Sequence, residues 1–342
     1  MRDRSNREGE LPVLRNDSLP ERLKKEVTPK DLQARQRWYL EAATAENTRR
    51  SYRSAVRHFE RWGGYLPTDR DTLIRYLLDY AETLNPRTLS ARLTALSQWH
   101  CYQGFTDPVQ DPTVRKTMKG IQHKHAKPKR KAIALRLEHM AVMIAVLEKR
   151  TTSLKKARDL ALVQVGFFGA FRRSELVAIQ VEDLSWNPEG LIVQMPRSKT
   201  DQKGEGLYRA LPKGNNRICP VKALNDWIKI ADITSGAVFR PVNRWDQVQN
   251  RALNPGAIND LLKSLGRACG FDFASELSSH SFRRGLSTSA AREGVDFKAI
   301  KQQGGWKNDA TVWEYIDEGR CFSDNAALTL IAKMESLMSD AD

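Results

Sequence analysis

The stretch KHAKPKRKA at residues 124–132 is the feature that most constrains how this chain folds. It holds Pro128 and five Lys or Arg residues within eight positions, and the helical pattern before it lapses there. Proline breaks a helix and dense positive charge resists burial, so the stretch is typical of an extended linker. At 342 residues the chain is also too long for one compact core. We therefore expect a flexible tail at 1–24, a helical domain at 25–123, a basic linker at 124–134 and a second domain at 135–342.

The net charge of +15 limits the kinds of partner. Lys and Arg number 56 against 41 Asp and Glu. Such an excess indicates a polyanion, most simply nucleic acid, with an anionic membrane surface as the weaker alternative. No run of about eighteen apolar residues could span a membrane, and the N-terminal residues lack the apolar core of a secretory signal. The four cysteines are scattered without a CxxC pair, which predicts free thiols in a cytoplasmic protein and no metal or cofactor.

The stretch AENTRRSYRSAVRHFERW at residues 45–62 predicts the clearest helix of the first domain. Asn47 or Thr48 is expected to cap its N-terminus. Apolar residues recur at helical spacing on one face: Tyr52, Val56, Phe59 and Trp62. Arginines recur every four residues on another face: Arg49, Arg53, Arg57 and Arg61.

This arginine face has two interpretations. A charged helix face is most often simply solvated. Here, however, no carboxylate alternates with the arginines before Glu60, so like charges repel each other along the helix. A phosphate backbone would relieve that repulsion, and we therefore expect the face to bind DNA.

A second helix is expected in NPRTLSARLTALSQWHCYQG, with Pro86 in its first turn, an apolar Leu89/Leu93/Leu96 stripe and Gly104 as its stop. The basic linker after it is read as a strap across the phosphate backbone, in preference to a localisation signal or a solubility feature. The residues predicted to contact DNA are Arg49, Arg50, Arg53, Arg57, Arg61, Arg87, Thr88, Lys127, Lys129, Arg130 and Lys131.

The second domain combines helices with a small sheet. ARDLALVQVGFFGAF is apolar almost all round, which predicts a buried central helix. LIVQMP and LYRALP are short β-rich runs joined by RSKTDQKGEG, which predicts an antiparallel hairpin. Helices are expected again near 221, at 255–269, at 280–292 and from 324. The predicted fold class is therefore mainly α with a small antiparallel β-sheet in the second domain.

Four stretches of this domain carry side chains suited to chemistry. They are Arg172 and Glu175 in FRRSEL, Lys199 in the hairpin, His280 and Arg283 in HSFRRG, and Trp306 and Tyr315 in GGWKNDATVWEYID. Each alone has an ordinary explanation: an RxxE turn is usually a salt bridge, a hairpin lysine is usually solvated, and an aromatic at helical spacing is usually core. Arg173 is the alternative basic group beside Arg172.

Together these residues suit phosphoryl transfer without a metal. Planar guanidinium groups clamp the charge that builds on the equatorial oxygens of a phosphodiester under attack. A lysine can protonate the leaving 5′-oxygen. A tyrosine hydroxyl is a suitable nucleophile, because a phenol–phosphate ester retains the bond energy and remains reversible.

In this combination and order the sequence resembles the tyrosine recombinase (lambda-integrase) family, and its Cre-type members in particular, through HSFRRG and GGWKN. The resemblance covers nearly the whole chain and implies a helical core-binding domain, a basic linker and a catalytic domain that together clamp DNA. Many family members have histidine where this chain has Trp306, and a second histidine where it has Arg284. Tryptophan donates only its indole N–H, so acid–base roles fall to Lys199 or His280.

The resemblance implies a role for each residue of the set. Arg172 and Arg283 would clamp the phosphate, with Glu175 bracing the site. Lys199 would be the general acid, and His280 would assist proton transfer. Trp306 would pack or hydrogen-bond at the phosphate. Tyr315 would be the nucleophile, while a purely structural Tyr315 in the core remains the alternative, with Tyr208 as another candidate nucleophile.

The implied function is site-specific DNA recombination through a 3′-phosphotyrosyl intermediate, for the integration, excision or resolution of a mobile element or replicon. The implied partners are double-stranded DNA with inverted-repeat half-sites and three further copies of the chain, forming a homotetramer on two DNA sites, in a bacterial cytoplasm at the nucleoid. Two rivals remain: a type IB topoisomerase, which would relax DNA without a specific site, and a non-enzymatic DNA-binding protein.

Overall fold

A computed structural model of the chain describes residues 29–128, 131–151, 153–195, 207–215 and 217–339. The predicted tail at 1–24 lies outside these ranges, as do Lys129, Arg130 and Lys199. The chain divides into two compact units, with the boundary between residues 129 and 130. Among the described residues, no helix is both long and apolar enough to cross a membrane.

The first unit is helical. Its helices are α1 (Pro29–Ala43), α2 (Glu46–Trp62), α3 (Arg70–Tyr80), α4 (Pro86–Gln103) and α5 (Pro112–His125), with a 3₁₀ turn at Pro108–Gln110. Phe59 of α2 is fully buried against Tyr76 of α3, with the ring centroids 5.1 Å apart and edge to face. Leu89 and Leu96 of α4 are buried in the same core. The apolar faces predicted for α2 and α4 therefore form this core.

Helix α4 begins and ends as the sequence predicts. The side chain of Asn85 accepts a hydrogen bond from the backbone N–H of Arg87 over 2.9 Å, and Pro86 follows in the first turn. Gly104 ends the helix in the left-handed region at φ 75°, where a residue without Cβ is not strained.

The N-terminal cap predicted for α2 is wrong. The residue that flanks the helix is Ala45, which has no side chain able to cap, and the helix starts before Asn47 and Thr48. Glu46 occupies the first turn instead, where a carboxylate is favoured by the positive end of the helix dipole. A charge in the first turn therefore takes the place of a capping hydroxyl or amide.

The second unit contains the remaining elements. Its helices are α6 (Leu137–Glu148), α7 (Leu154–Phe168), α8 (Arg173–Ala178), α9 (Pro220–Ile230), α10 (Pro255–Ala268), α11 (Ser279–Arg292), α12 (Phe297–Gly304), α13 (Asp309–Arg320) and α14 (Ala326–Ser339). Helix α7 is buried along most of its length and packs against α6, α9 and α11. The predicted buried central helix is therefore confirmed.

The sheet is antiparallel, in the order β1–β2–β3. Strands β2 (Gly190–Met195) and β3 (Leu207–Pro212) confirm the two predicted β runs, with Val193 opposite Arg209 in register. Strand β1 (Leu184–Asn187) is not predicted from the sequence, because its four residues are mostly exposed and show no alternation. The fold class, mainly helical with a small antiparallel sheet, is confirmed.

The segment after the linker is held against α11. The backbone N–H of Leu135 donates to the carbonyl of Ser281 over 3.1 Å. A Cβ on Gly285 would overlap the carbonyl oxygen of Leu135, so only glycine allows this approach. Arg284 donates to the carbonyl of Ala132 over 2.9 Å and pairs with Glu318 of α13. These contacts fix α11 and α13, the helices that carry Arg283 and Tyr315.

Candidate active site

Arg172 and Glu175 form one wall of the site, at the N-terminus of α8. After α7 the chain turns through Ala170, which adopts the left-handed conformation at φ 47°. The backbone N–H of Arg172 donates to Oε2 of Glu175 over 2.9 Å, and its guanidinium is paired with Oε1. Burial acts to raise the pKa of Glu175, but these hydrogen bonds and the charge of Arg172 outweigh it, so the pKa lies below its ordinary value.

Arg283 lies at the centre of the site and is 3% exposed. Its Nη1 donates to the carbonyl of Ala170, and its Nη2 donates to the carbonyl of Gly304 over 2.9 Å. Burial, and after it the charge of Arg172, lowers the pKa of Arg283 to about 10. The guanidinium therefore remains charged at neutral pH and is held in place by two backbone carbonyls.

The turn between α12 and α13 places Trp306 under Arg283. A side chain at Gly304 would overlap the indole ring, so glycine is what lets Trp306 fold back over the end of α12. The guanidinium carbon of Arg283 lies 4.6 Å from the centroid of this ring, within the range of a cation–π contact. The ring centroid of Tyr315 lies 5.5 Å from that of Trp306.

Tyr315 is half-buried on α13. Its ring packs in a small apolar cluster with Trp306, Val312 and Ile316. Burial raises the pKa of the phenol, an effect opposed by the charge of Arg283. Among the described residues, nothing hydrogen-bonds its hydroxyl. Packing therefore explains the position of the Tyr315 ring, but it does not explain why the ring carries a hydroxyl group.

The structure brings together five of the seven residues predicted for the catalytic set: Arg172, Glu175, Arg283, Trp306 and Tyr315. His280 lies in the first turn of α11, one turn before Arg283, and is exposed. Lys199 lies outside the described residues. The alternative residues Arg173 and Tyr208 are both exposed at the surface.

Arg209 belongs to the same cluster and is absent from the predicted set. Its side chain is 3% exposed, and its Nη2 donates to the carbonyl of Gly304 over 3.1 Å. The signal that could have found it is the alternation along β3, where Tyr208 is exposed while Arg209 and Leu211 are buried. An arginine on the inward face of a strand is unusual, since a buried charge needs compensation.

Positive charge exceeds negative charge in this cluster. Arg172, Arg209 and Arg283 lie close enough to influence one another's ionisation, and the carboxylate acting on them is that of Glu175. Like charges this close are unfavourable unless an anion joins them. Among the described residues no group of three or more His, Cys, Asp or Glu side chains is arranged to hold a metal ion. The arrangement therefore suits the binding of an anion that accepts hydrogen bonds from several donors, such as a phosphodiester.

The arginine face of α2 lies on the first unit. Arg50, Arg53, Arg57 and Arg61 line a shallow depression of about 390 Å³. The premise that no carboxylate relieves the repulsion is wrong for two of the arginines, because Glu46 pairs with Arg49 at 2.7 Å and with Arg53 at 2.8 Å. The arginines that line the depression without an ion pair to a described residue are Arg50, Arg57 and Arg61.

The other residues predicted to bind DNA occupy several settings. Arg87 and Thr88 are exposed in the first turn of α4, and Lys127 is exposed after α5. Lys131 pairs with Glu314 of α13, the residue before Tyr315. That pairing ties the end of the basic linker to the helix that carries the tyrosine.

Comparisons with known proteins agree with this architecture. The sequence matches the phage integrase family over residues 134–320. An integrase/recombinase xerD homolog of Selenomonas ruminantium is 35% identical over 296 residues, covering 84% of this chain and 86% of the relative.

Solved structures with a similar fold are recombinases and integrases. XerH site-specific recombinase, bound to palindromic difH substrate in a post-cleavage complex, has a TM-score of 0.57 and 16% identity, covering 76% of this chain and 72% of XerH. The Tn1549 transposon integrase in complex with circular intermediate DNA has a TM-score of 0.58 and 17% identity, covering 88% of this chain and 97% of that integrase. A lambda integrase dimer bound to a COC′ core site has a TM-score of 0.54 and 16% identity, covering 86% of this chain and 83% of the lambda integrase chain. At these identities the similarity concerns the fold.

The raised pKa of Tyr315 can be tested by removing a neighbouring carboxylate. Glu318 lies three residues after Tyr315 and acts to raise the pKa of its phenol. Glu318→Gln removes that negative charge and leaves the charge of Arg284 unpaired, and both changes favour the phenolate. We expect the pKa of Tyr315 to fall, measured from the pH dependence of tyrosinate absorbance as a difference from the matched Tyr315→Phe protein.

Asp317→Asn is the control for this titration. Asp317 lies two residues after Tyr315 and so points to the opposite side of α13. Asp317→Asn removes the same charge from the same helix and should change the pKa of Tyr315 much less than Glu318→Gln does. An unchanged or raised pKa in Glu318→Gln would contradict the electrostatic description of the site.

Proposed function

Because the chain belongs to the phage integrase family, we propose that it is a site-specific DNA recombinase that cleaves and rejoins DNA through Tyr315. The observation that carries this proposal is a group of three arginines, two of them buried, with one carboxylate beside the Tyr315 ring. Such a group has an excess of positive charge directed at the place where an anion would sit. A scissile phosphodiester supplies that anion.

The cleavage step uses the predicted residues in the following roles. The Tyr315 oxygen attacks the phosphorus and forms a 3′-phosphotyrosyl bond, while the bond from phosphorus to the 5′-oxygen breaks. The phenolic proton passes to a base, for which His280 is the candidate, and Lys199 protonates the leaving 5′-oxygen. Religation is the reverse, with a 5′-hydroxyl attacking the phosphotyrosyl bond, so neither ATP nor an external nucleophile is consumed.

The arginines stabilise the charge that develops during attack. Arg172 and Arg283 clamp the non-bridging oxygens, and they are held ready for that task by Glu175 and by the carbonyls of Ala170 and Gly304. Groups fixed before the reaction need little reorganisation in the transition state, which is why such donors contribute strongly to rate. Trp306 supports the plane of Arg283 from below.

Binding along the duplex is assigned to the first unit and the linker. The exposed guanidiniums of Arg50, Arg57 and Arg61 would contact phosphates, with Arg53 shared between a phosphate and Glu46. Phosphate contacts set register and affinity, and they do not read sequence. Arg87 and Thr88, at the exposed N-terminus of α4, and Lys127 with the rest of the basic linker would extend the contact.

The proposed assembly is a homotetramer on two DNA sites, each with inverted-repeat half-sites. Helix α14 supports it, because its apolar residues are exposed in the single chain: Leu328, Leu330, Ile331, Met334, Leu337 and Met338. An apolar helix face of this size calls for a partner surface, and a neighbouring copy of the chain provides one. The proposed role is the integration, excision or resolution of a mobile element or replicon.

The proposal is tested first with DNA that the protein itself selects. A duplex pool with a randomised segment, enriched for binding to the full chain, should yield an inverted repeat. A nicked form of that selected site should then trap a covalent protein–DNA adduct that survives denaturing electrophoresis. Tyr315→Phe removes one oxygen and keeps the ring, so it should retain binding while the adduct disappears.

Each outcome of this experiment has a meaning. Binding of the selected site by the unchanged protein with no adduct would contradict the enzymatic proposal and favour a DNA-binding protein. Relaxation of plasmid that lacks the selected site would favour a type IB topoisomerase. An adduct that persists in Tyr315→Phe would place the nucleophile elsewhere.

The arginine face offers a matched pair of variants. Arg57 is exposed in the depression and makes no ion pair with a described residue, whereas Arg49 is paired with Glu46 on the same helix. Arg57→Ala should weaken binding to specific and random duplexes alike, and should reduce the slope of log affinity against log salt by about one unit. Arg49→Ala, with the same change in formal charge, should alter the slope less. A change in sequence preference in Arg57→Ala would contradict a phosphate contact.

A further inference from the structure

Arg209 is a buried cation that forms no ion pair with a carboxylate in the part of the chain that the structure describes. It lies on the inward face of β3, where its Nη1 donates to the carbonyl of Tyr208 over 3.3 Å and its Nη2 to the carbonyl of Gly304 over 3.1 Å. Its buried Nε–H has no hydrogen-bond partner among the described residues. Glu175, whose charge acts on it, is paired with Arg172. A cation that is buried with an unsatisfied donor and no paired carboxylate destabilises the fold, so stability does not explain why an arginine occupies this position.

The contact made by Arg209 is shared with Arg283. The carbonyl oxygen of Gly304 accepts one hydrogen bond from each guanidinium, at 3.1 Å from Arg209 and 2.9 Å from Arg283. A carbonyl oxygen has two lone pairs and can accept both. The position of that oxygen therefore depends on Arg209, and the orientation of Arg283 depends on that oxygen.

The two glycines of the turn, Gly304 and Gly305, leave the space that this arrangement needs. Gly305 has φ 58°, and a Cβ there would overlap the guanidinium of Arg209. The guanidinium thus lies against the backbone of Gly305, while the Trp306 ring lies against Gly304. One side chain from the sheet and one from the turn enclose the peptide whose carbonyl holds Arg283.

We propose that Arg209 is a positioning residue for DNA cleavage, which fixes the Gly304 carbonyl and through it the guanidinium plane of Arg283. The inference rests on the proposed function, in which Arg283 clamps the scissile phosphate. Arg209 does not touch the phosphate in this account. It sets the geometry of a group that does, and its fork of donors is the property that matters.

The test compares two substitutions on two substrates. Arg209→Met removes the charge and the donor fork but keeps a long side chain, and Arg209→Lys keeps the charge without the fork. The substrates are the selected site with its normal scissile phosphate and the same site with a methyl group replacing one non-bridging oxygen, at the position mapped from the wild-type adduct. The quantities measured are site affinity and the single-turnover rate of adduct formation.

On the normal substrate, Arg209→Met should slow adduct formation about 100-fold, the loss expected when a reacting group is displaced by roughly 1 Å. Site affinity should be nearly unchanged, and Arg209→Lys should recover only part of the rate. On the methyl-substituted substrate the defect should shrink, because an oxygen without charge no longer needs the clamp. In an Arg283→Lys background, adding Arg209→Met should cost little more, because Arg209 acts through Arg283.

Arg158→Met is the matched control. Arg158 is a buried arginine of the same unit, paired with Asp159 in α7. Its loss should lower the thermal unfolding midpoint while the folded protein cleaves at the wild-type rate. If Arg209→Met does not fold, the ratio of rates for Arg209→Lys on the two substrates decides the question.

Three results are distinguishable. No adduct with the unchanged protein would contradict the proposed function and this inference with it. Wild-type cleavage together with an unimpaired Arg209→Met would overturn the inference alone. Equal loss on both substrates, with independent effects of Arg209→Met and Arg283→Lys, would also overturn it, because a general packing role predicts that pattern.

Discussion

The carbonyl oxygen of Gly304 is the point on which the candidate site depends. It receives hydrogen bonds from Arg209 of the sheet and from Arg283 of α11, and it belongs to the turn that carries Trp306. Three elements distant in sequence are thus joined at one backbone atom. Neither arginine forms an ion pair with a carboxylate among the described residues, so both charges contribute to the positive potential that an anion would meet. A buried carboxylate in place of that carbonyl would cancel one of these charges.

Because these arginines are buried without paired carboxylates among the described residues, the fold carries an unfavourable electrostatic energy at the candidate site. Burial lowers the pKa of Arg283 to about 10 and raises that of Tyr315. An incoming phosphate would oppose the shift of Arg283, and the charge of Arg283 opposes the shift of Tyr315. Ala170 adds a left-handed backbone to present its carbonyl to Arg283, a conformation that costs about 1–3 kcal/mol. Packing of α7 and its neighbours supplies the stability that permits these costs.

The sequence predicts well what is encoded locally. Asn85 and Gly104 bound a helix because their side-chain and backbone preferences act within a turn, and the inward leucines follow helical spacing. The start of α2 at Glu46 was missed because a first-turn charge replaced the expected capping side chain. Arg209 was missed because its partner, Gly304, lies 95 residues away, and no spacing rule connects a strand to a distant turn. The residues proposed to react are predicted from motif order rather than from geometry.

We propose that the oxygen of Tyr315, which neither accepts nor donates a hydrogen bond among the described residues, forms the covalent link to DNA. The most direct measurement is to digest the trapped adduct with trypsin and identify the peptide that carries the nucleotide by mass spectrometry. We expect the nucleotide on the peptide of residues 308–320, which contains Tyr315 and is released by cleavage after Lys307 and Arg320. A nucleotide on residues 204–209, which contain Tyr208, or on any peptide that lacks Tyr315, would contradict it.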